Sequence, residues 1–123
     1  MDNQTPVVFL TNNDEIFSFF PTLEYSPGFK TSYARIGQHS ACSEKYAREA
    51  SLASEQDYKD LHSELVRQGY DDLVVINERL DYLRSEVENQ RISTAEIAEL
   101  QSYADFIDKG DTLLLEWAGV EEH

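Results

Sequence analysis

The stretch Val7-Val8-Phe9-Leu10-Thr11-Asn12-Asn13-Asp14-Glu15-Ile16-Phe17-Ser18-Phe19-Phe20 decides the fold class. Two short apolar runs flank an Asn/Asp cluster, the pattern of two strands joined by a tight turn. Phe17 and Phe19 share one face of the second strand and Phe20 takes the other, because successive residues alternate. This is the most apolar part of the chain, and it is assigned to the core ahead of an interface. Pro21 is expected to stop the strand. Tyr25-Ser26-Pro27-Gly28 reads as a second turn, and Thr31-Ser32-Tyr33-Ala34-Arg35-Ile36 as a third strand ending at Gly37.

Helical signals follow. Ser43 is placed to cap a short helix over residues 44–49, and Ser54 with Asp57 forms a weak capping box. Tyr58, Leu61 and Leu65 then repeat at i, i+3, i+7 until Gly69 supplies a left-handed stop. Leu73-Val74-Val75-Ile76 reads as a short strand returning to the sheet. Beyond it Leu80, Leu83 and Val87 mark an amphipathic helix, Arg91-Ile92-Ser93 interrupts it, and Ser93-Thr94-Ala95-Glu96 opens another. Ile97, Leu100, Ala104 and Ile107 carry that second helix to Lys109-Gly110. So short a connection predicts an antiparallel helical hairpin. Asp111 caps a last helix or precedes a strand, since residues 113–115 fit both. The expected fold is α+β: a small antiparallel sheet of three to four strands covered by helices, plus a C-terminal antiparallel helical hairpin. Its division is a small α+β unit at residues 1–77 and an acidic helical hairpin packed on it at 78–123, together one domain.

Charge is the dominant compositional fact: 24 acidic residues against 10 basic ones give a net charge of −14 over 123 residues. Solubility needs a magnitude of only about 2–8 in a small domain. With 41% hydrophobic and 11% aromatic residues, the chain has the means to fold that disordered acidic chains lack. A nucleic-acid backbone or an anionic membrane needs Lys and Arg to displace its counterions, so both are disfavoured as direct partners. A basic protein is favoured and would be steered in by the field. The single cysteine, Cys42, excludes an internal disulfide. The short apolar run at residues 7–10 does not make a signal peptide or a membrane span, and a cytoplasmic location is expected.

The segments Thr31-Ser32-Tyr33-Ala34-Arg35-Ile36-Gly37-Gln38-His39-Ser40-Ala41-Cys42-Ser43, Tyr58-Lys59-Asp60-Leu61 and Gly69-Tyr70-Asp71-Asp72-Leu73 resemble a group of small uncharacterised proteins carried by phages and mobile elements of gut bacteria. The resemblance covers about the N-terminal two-thirds of the chain and brings no activity or catalytic residues with it. It implies a context, action on host machinery rather than in metabolism.

Two constellations carry candidate chemistry. His39 and Cys42 lie between a predicted strand and a predicted helix. A thiol at a helix N-terminus can be activated by unpaired N–H groups and a neighbouring imidazole. Packing and capping is the competing account, since a free cysteine is commonly a small buried hydrophobe. No spacing of a structural zinc site, EF-hand loop or phosphate-binding loop is present, so no metal or cofactor is expected.

The second constellation is acidic. Residues 92–123 hold eight acids and one base, Lys109. Glu96, Glu99, Asp105, Asp108, Asp111 and Glu116 are the candidate partner-binding residues. Acids three or four apart on a helix stand ~5–6 Å from one another, so such an array imitates part of a phosphate backbone. The expected function is a small acidic binding protein, and a mobile-element inhibitor of a basic nucleic-acid-binding or defence protein of the host is its most concrete form. Two alternatives stand beside it: an oligomeric structural component packed through the seam of residues 80–107, and a cysteine-dependent enzyme using Cys42 and His39.

Overall fold

A computed structural model describes residues 4–12, 15–34, 38–70, 72–108 and 110–119. It shows an α+β protein whose backbone groups into two compact units, Met1–Ile76 and Asn77–His123.

The first unit is built on a sheet. Strand β1 (Thr5–Asn12) pairs antiparallel with β2 (Glu15–Ser26) in continuous register from Val8↔Phe19 to Asn12↔Glu15. Strand β3 (Phe29–Ala34) follows across a turn where Gly28 takes φ +85°, a left-handed conformation that glycine adopts without strain. Pro21 does not end β2. The β2–β3 register shifts between Phe20 and Glu24, and a proline is tolerated in such a bulge because no ladder N–H is required of it.

Strand β4 (Gln38–Cys42) pairs antiparallel with β3 from Lys30↔Cys42 to Ala34↔Gln38. By sequence alone this segment falls between a strand and a helix. Gln-His-Ser-Ala lacks the β-branched pattern of a strand, and pairing with β3 supplies what local propensity does not. Helix α1 (Glu44–Glu49) comes next, its N-cap Ser43 accepting from the Tyr46 N–H at 3.0 Å. After it, the two-residue strand β5 (Ser51–Leu52) pairs antiparallel with β1 at Leu10 and Thr11. Helix α2 (Glu55–Arg67) is capped by Ser54, which accepts from the Asp57 N–H at 3.3 Å.

Strand β6 (Leu73–Val75) pairs parallel with β1, Thr5 opposite Leu73. The described sheet thus runs β4-β3-β2-β1-β5, with β6 joining β1 beside β5.

Both faces of the sheet are buried. Val7, Phe9, Phe20 and Tyr33 pack with Tyr58, Leu61 and Leu65 of α2 and with Ala53 and Val75. Phe9 stacks on Tyr58 with ring centroids 4.5 Å apart. Phe17 meets the Tyr46 ring of α1, on the opposite side from Phe20, as the alternation of β2 requires. Two polar groups are built into this core. The Ser18 hydroxyl donates to the Tyr33 carbonyl at 2.9 Å, and the Tyr33 hydroxyl donates to Glu64 Oε2 at 2.5 Å.

The second unit is helical. Helix α3 (Ile76–Glu88) buries Leu80, Leu83 and Val87. It ends in a Schellman motif: the Arg91 N–H reaches the Glu86 carbonyl and the Gln90 N–H the Val87 carbonyl, with Gln90 at φ 57°. Helix α4 (Thr94–Ser102) opens with a complete capping box between Ser93 and Glu96. It is shorter than its apolar spacing predicts. The Ser102 hydroxyl bonds back to the Glu99 carbonyl at 2.5 Å, a turn of 3-10 helix spans Ala104–Phe106, and Ile107 is extended. Helix α5 (Thr112–Trp117) resolves residues 113–115 as helical, with Asp111 accepting from the Leu114 N–H. Among the described residues, no helix is long and apolar enough to cross a membrane.

Candidate functional site

Cys42 closes β4, and Ser43, one residue later, is the helix cap. The thiol is therefore not the group facing the free N–H groups of α1. It is buried, its Sγ lies 3.5 Å from the Ser43 carbonyl, and burial pushes its pKa up. A thiol held protonated is a poor nucleophile. The pairing register sets position 39 opposite Tyr33 and position 42 opposite Lys30. Positions three apart on a strand fall on opposite faces, and the His39 side chain lies outside the described residues. His62 packs beside Phe9 and Tyr58. Among the described residues, no group of three His, Cys, Asp or Glu side chains is arranged to hold a metal ion.

Several acidic residues are tied into the second unit by arginines and helix caps, and others are exposed. Glu99 accepts a bidentate pair from Arg79, Nε and Nη2 each at 2.6 Å from a carboxylate oxygen. This fork holds the Glu99 carboxyl below its ordinary value and raises the already high Arg79 pKa. The Arg79 guanidinium also lies 4.6 Å from the centroid of the Tyr82 ring. Glu96 closes the capping box, its Oε1 accepting from the Ser93 N–H at 3.0 Å, and that bond lowers its pKa.

Tyr82 donates to Glu86 at 3.1 Å. Hydrogen bonding to Glu96 and Glu86, in that order of effect, pushes the phenol up to about 12. Asp111 caps α5 and accepts from Arg84 Nη1, which ties α5 to α3. Arg91 pairs with Glu86 at 3.3 Å.

Three of the six sequence-predicted acids, Glu96, Glu99 and Asp111, are thus used in holding their own helices. Asp105, Asp108 and Glu116 are exposed, and Asp108 accepts from the Gly110 N–H at 2.9 Å. The exposed Glu78 and Asp81 of α3 join them on the surface of this unit. Sequence reasoning missed the arginines. Arg79 and Glu99 are 20 residues apart and Arg84 and Asp111 are 27 apart, so local spacing carries no trace of either pair.

The comparisons with known proteins return no matching family, no matching curated protein and no matching solved structure.

Proposed function

We propose that the chain is a small acidic binding protein whose helical unit takes up a basic partner protein. The observation that supports this is a saturated internal charge balance. Arg79, Arg84 and Arg91 each already sit on a carboxylate of their own unit. Residues 77–123 nevertheless carry twelve acids against four bases, the fourth being Lys109. The surplus, with Glu78, Asp108 and Glu116 among its exposed members, outnumbers the described arginines of this unit, and Asp81 shares Arg84 with Asp111 and Glu88. An external cation relieves that repulsion and a neutral partner does not. Resemblance to mobile-element proteins supports a nucleic-acid-binding or defence protein of a host as that partner, with these carboxylates occupying its basic groove.

Octaarginine tests the reading by fluorescence anisotropy. Affinity should fall steeply between about 0.01 M and about 0.15 M salt, as the Debye length shrinks from ~30 Å to ~8 Å. Neutralising Glu78, Asp81, Asp108 and Glu116 together should weaken binding more than neutralising Glu24, Glu55, Asp57 and Asp60 of the other unit. Equal losses from the two charge-matched sets, or affinity indifferent to salt, refute it.

A further inference from the structure

Among the described residues of the helical unit, two large apolar side chains are exposed, Tyr82 of α3 and Trp117 of α5. Their surroundings differ. One turn before Trp117 stand Leu113 and Leu114. One turn from Tyr82 stand Glu78, Arg79 and Glu86, and its hydroxyl donates to Glu86 at 3.1 Å. The Arg79 guanidinium lies over the ring, 4.6 Å from its centroid, while Glu99 holds both of its arms. One face of the ring thus already carries a guanidinium braced by a carboxylate.

Helical spacing turns the second face elsewhere. At about 100° per residue, Arg79 and Glu86 stand roughly 60° and 40° to one side of Tyr82, toward the buried Leu83 and Val87. Glu78, Ser85 and Asp81 stand roughly 40°, 60° and 100° to the other side, and all three are exposed. Glu78 has neither a hydrogen-bond nor an ion-pair partner among the described residues, whereas Asp81 shares Arg84 with Asp111 and Glu88. Tyr82 is 43% exposed although one face is covered and its hydroxyl is engaged. What stays open is the face toward Glu78.

An aromatic face beside a carboxylate without an internal cation favours arginine. A guanidinium is planar, so it stacks flat on a ring while its edge N–H groups reach a carboxylate alongside. An ammonium is a compact, strongly hydrated charge and gains less from the same contact.

The geometry points to the outer face of Tyr82 as the seat of an arginine side chain of the basic partner, its guanidinium stacked on the ring and hydrogen-bonded to Glu78. The seat repeats on the solvent side of α3 what Arg79 and Glu99 make on the inner side. It presupposes the acidic helical surface proposed above and adds to it a preference for arginine over lysine.

Octaarginine and octalysine, equal in charge, are the probes, with fluorescence anisotropy on the full chain. Octaarginine should bind about two- to fivefold tighter, the ratio that one exposed cation–π contact gives. Tyr82→Leu should weaken octaarginine by about that factor and leave octalysine nearly unchanged. Tyr82→Phe, which keeps the ring, should keep the preference, and so should Trp117→Leu. Should Tyr82→Leu unfold the unit, the Tyr82 ring-proton resonances of the unsubstituted chain decide, and octaarginine should move them further than octalysine at equal saturation. An arginine preference that survives Tyr82→Leu, a loss matched by Trp117→Leu, or equal ring shifts from the two peptides would overturn the seat. Salt-dependent binding of both peptides without preference overturns the seat alone, whereas binding of neither overturns it together with the acidic surface.

Discussion

Replacing Arg79 with Gln removes the double hydrogen bond to Glu99, at 2.6 Å on both arms, while keeping a side chain of similar reach. Buried charge-assisted bonds contribute about 1.5–3 kcal/mol, whereas exposed ion pairs contribute about 0.2–1 kcal/mol. The side chains of this pair are 35% and 24% exposed, so solvent screening brings the expected loss to about 1 kcal/mol, the top of the exposed range. Trp117 reports it. It is the chain's single tryptophan and stands on α5 in the same helical unit. Its fluorescence through a urea titration follows the unfolding of that unit, and a double-mutant cycle with Glu99→Gln isolates the pair.

The expected coupling is about 1 kcal/mol, and a value below about 0.3 kcal/mol would refute the assignment of Arg79 as the clamp between α3 and α4. Acid supplies a second arm. The Glu99 carboxyl lies below its ordinary 4.5 because Arg79 hydrogen-bonds its charged form. The stability this confers is complete above pH 4.5 and is lost as the pH falls through the lowered folded value. Arg79→Gln should therefore flatten the loss of stability in that acid range, and an unchanged acid profile would contradict the linkage.

Two further outcomes are expected. Spectrophotometric titration should show one phenol ionising near pH 12, the value set on Tyr82 by Glu96 and Glu86. Glu86→Gln with Glu96→Gln should return that phenol toward its ordinary 10. Stability from this neutral phenol is complete below pH 10 and lost as the pH rises through the folded value. Cys42 should react slowly with a thiol reagent in the native protein and fast in denaturant, since the group is buried and protonated. Rapid native modification that abolishes a measured activity would contradict the burial and favour the nucleophile reading of Cys42.

Much of the fold was legible because local signals and tertiary packing agree. The paired apolar runs around residues 11–14 form the β1–β2 hairpin, although Asn13 and Asp14 themselves lie outside the described residues. Tyr58, Leu61 and Leu65 line the buried side of α2 as their spacing requires. Where the reading failed, a distant partner decides the conformation. Gln38–Cys42 becomes a strand through β3, and Pro21 is carried inside β2 by a bulge that depends on the same neighbour. Helix α4 ends early although Ala104 and Ile107 keep the apolar period, because Ser102 competes for a helical carbonyl. The acidic candidates were legible as residues but not as a surface. A carboxylate's sequence position does not disclose an arginine arriving from another helix.

Strand β1 is completed late. Its outer side waits for Ser51–Leu52 and then for Leu73–Val75, so the ladder of β1 fills only after the chain has run on to residue 75. Local pairing of β1 through β4 can proceed as each hairpin emerges. Closing the far side requires loop closure across most of the first unit, and contacts of such separation slow folding. Nascent chains stalled before residue 51 would hold a hydrophobic strand, Val7-Val8-Phe9-Leu10, with the outer side of its ladder open and free to capture other chains.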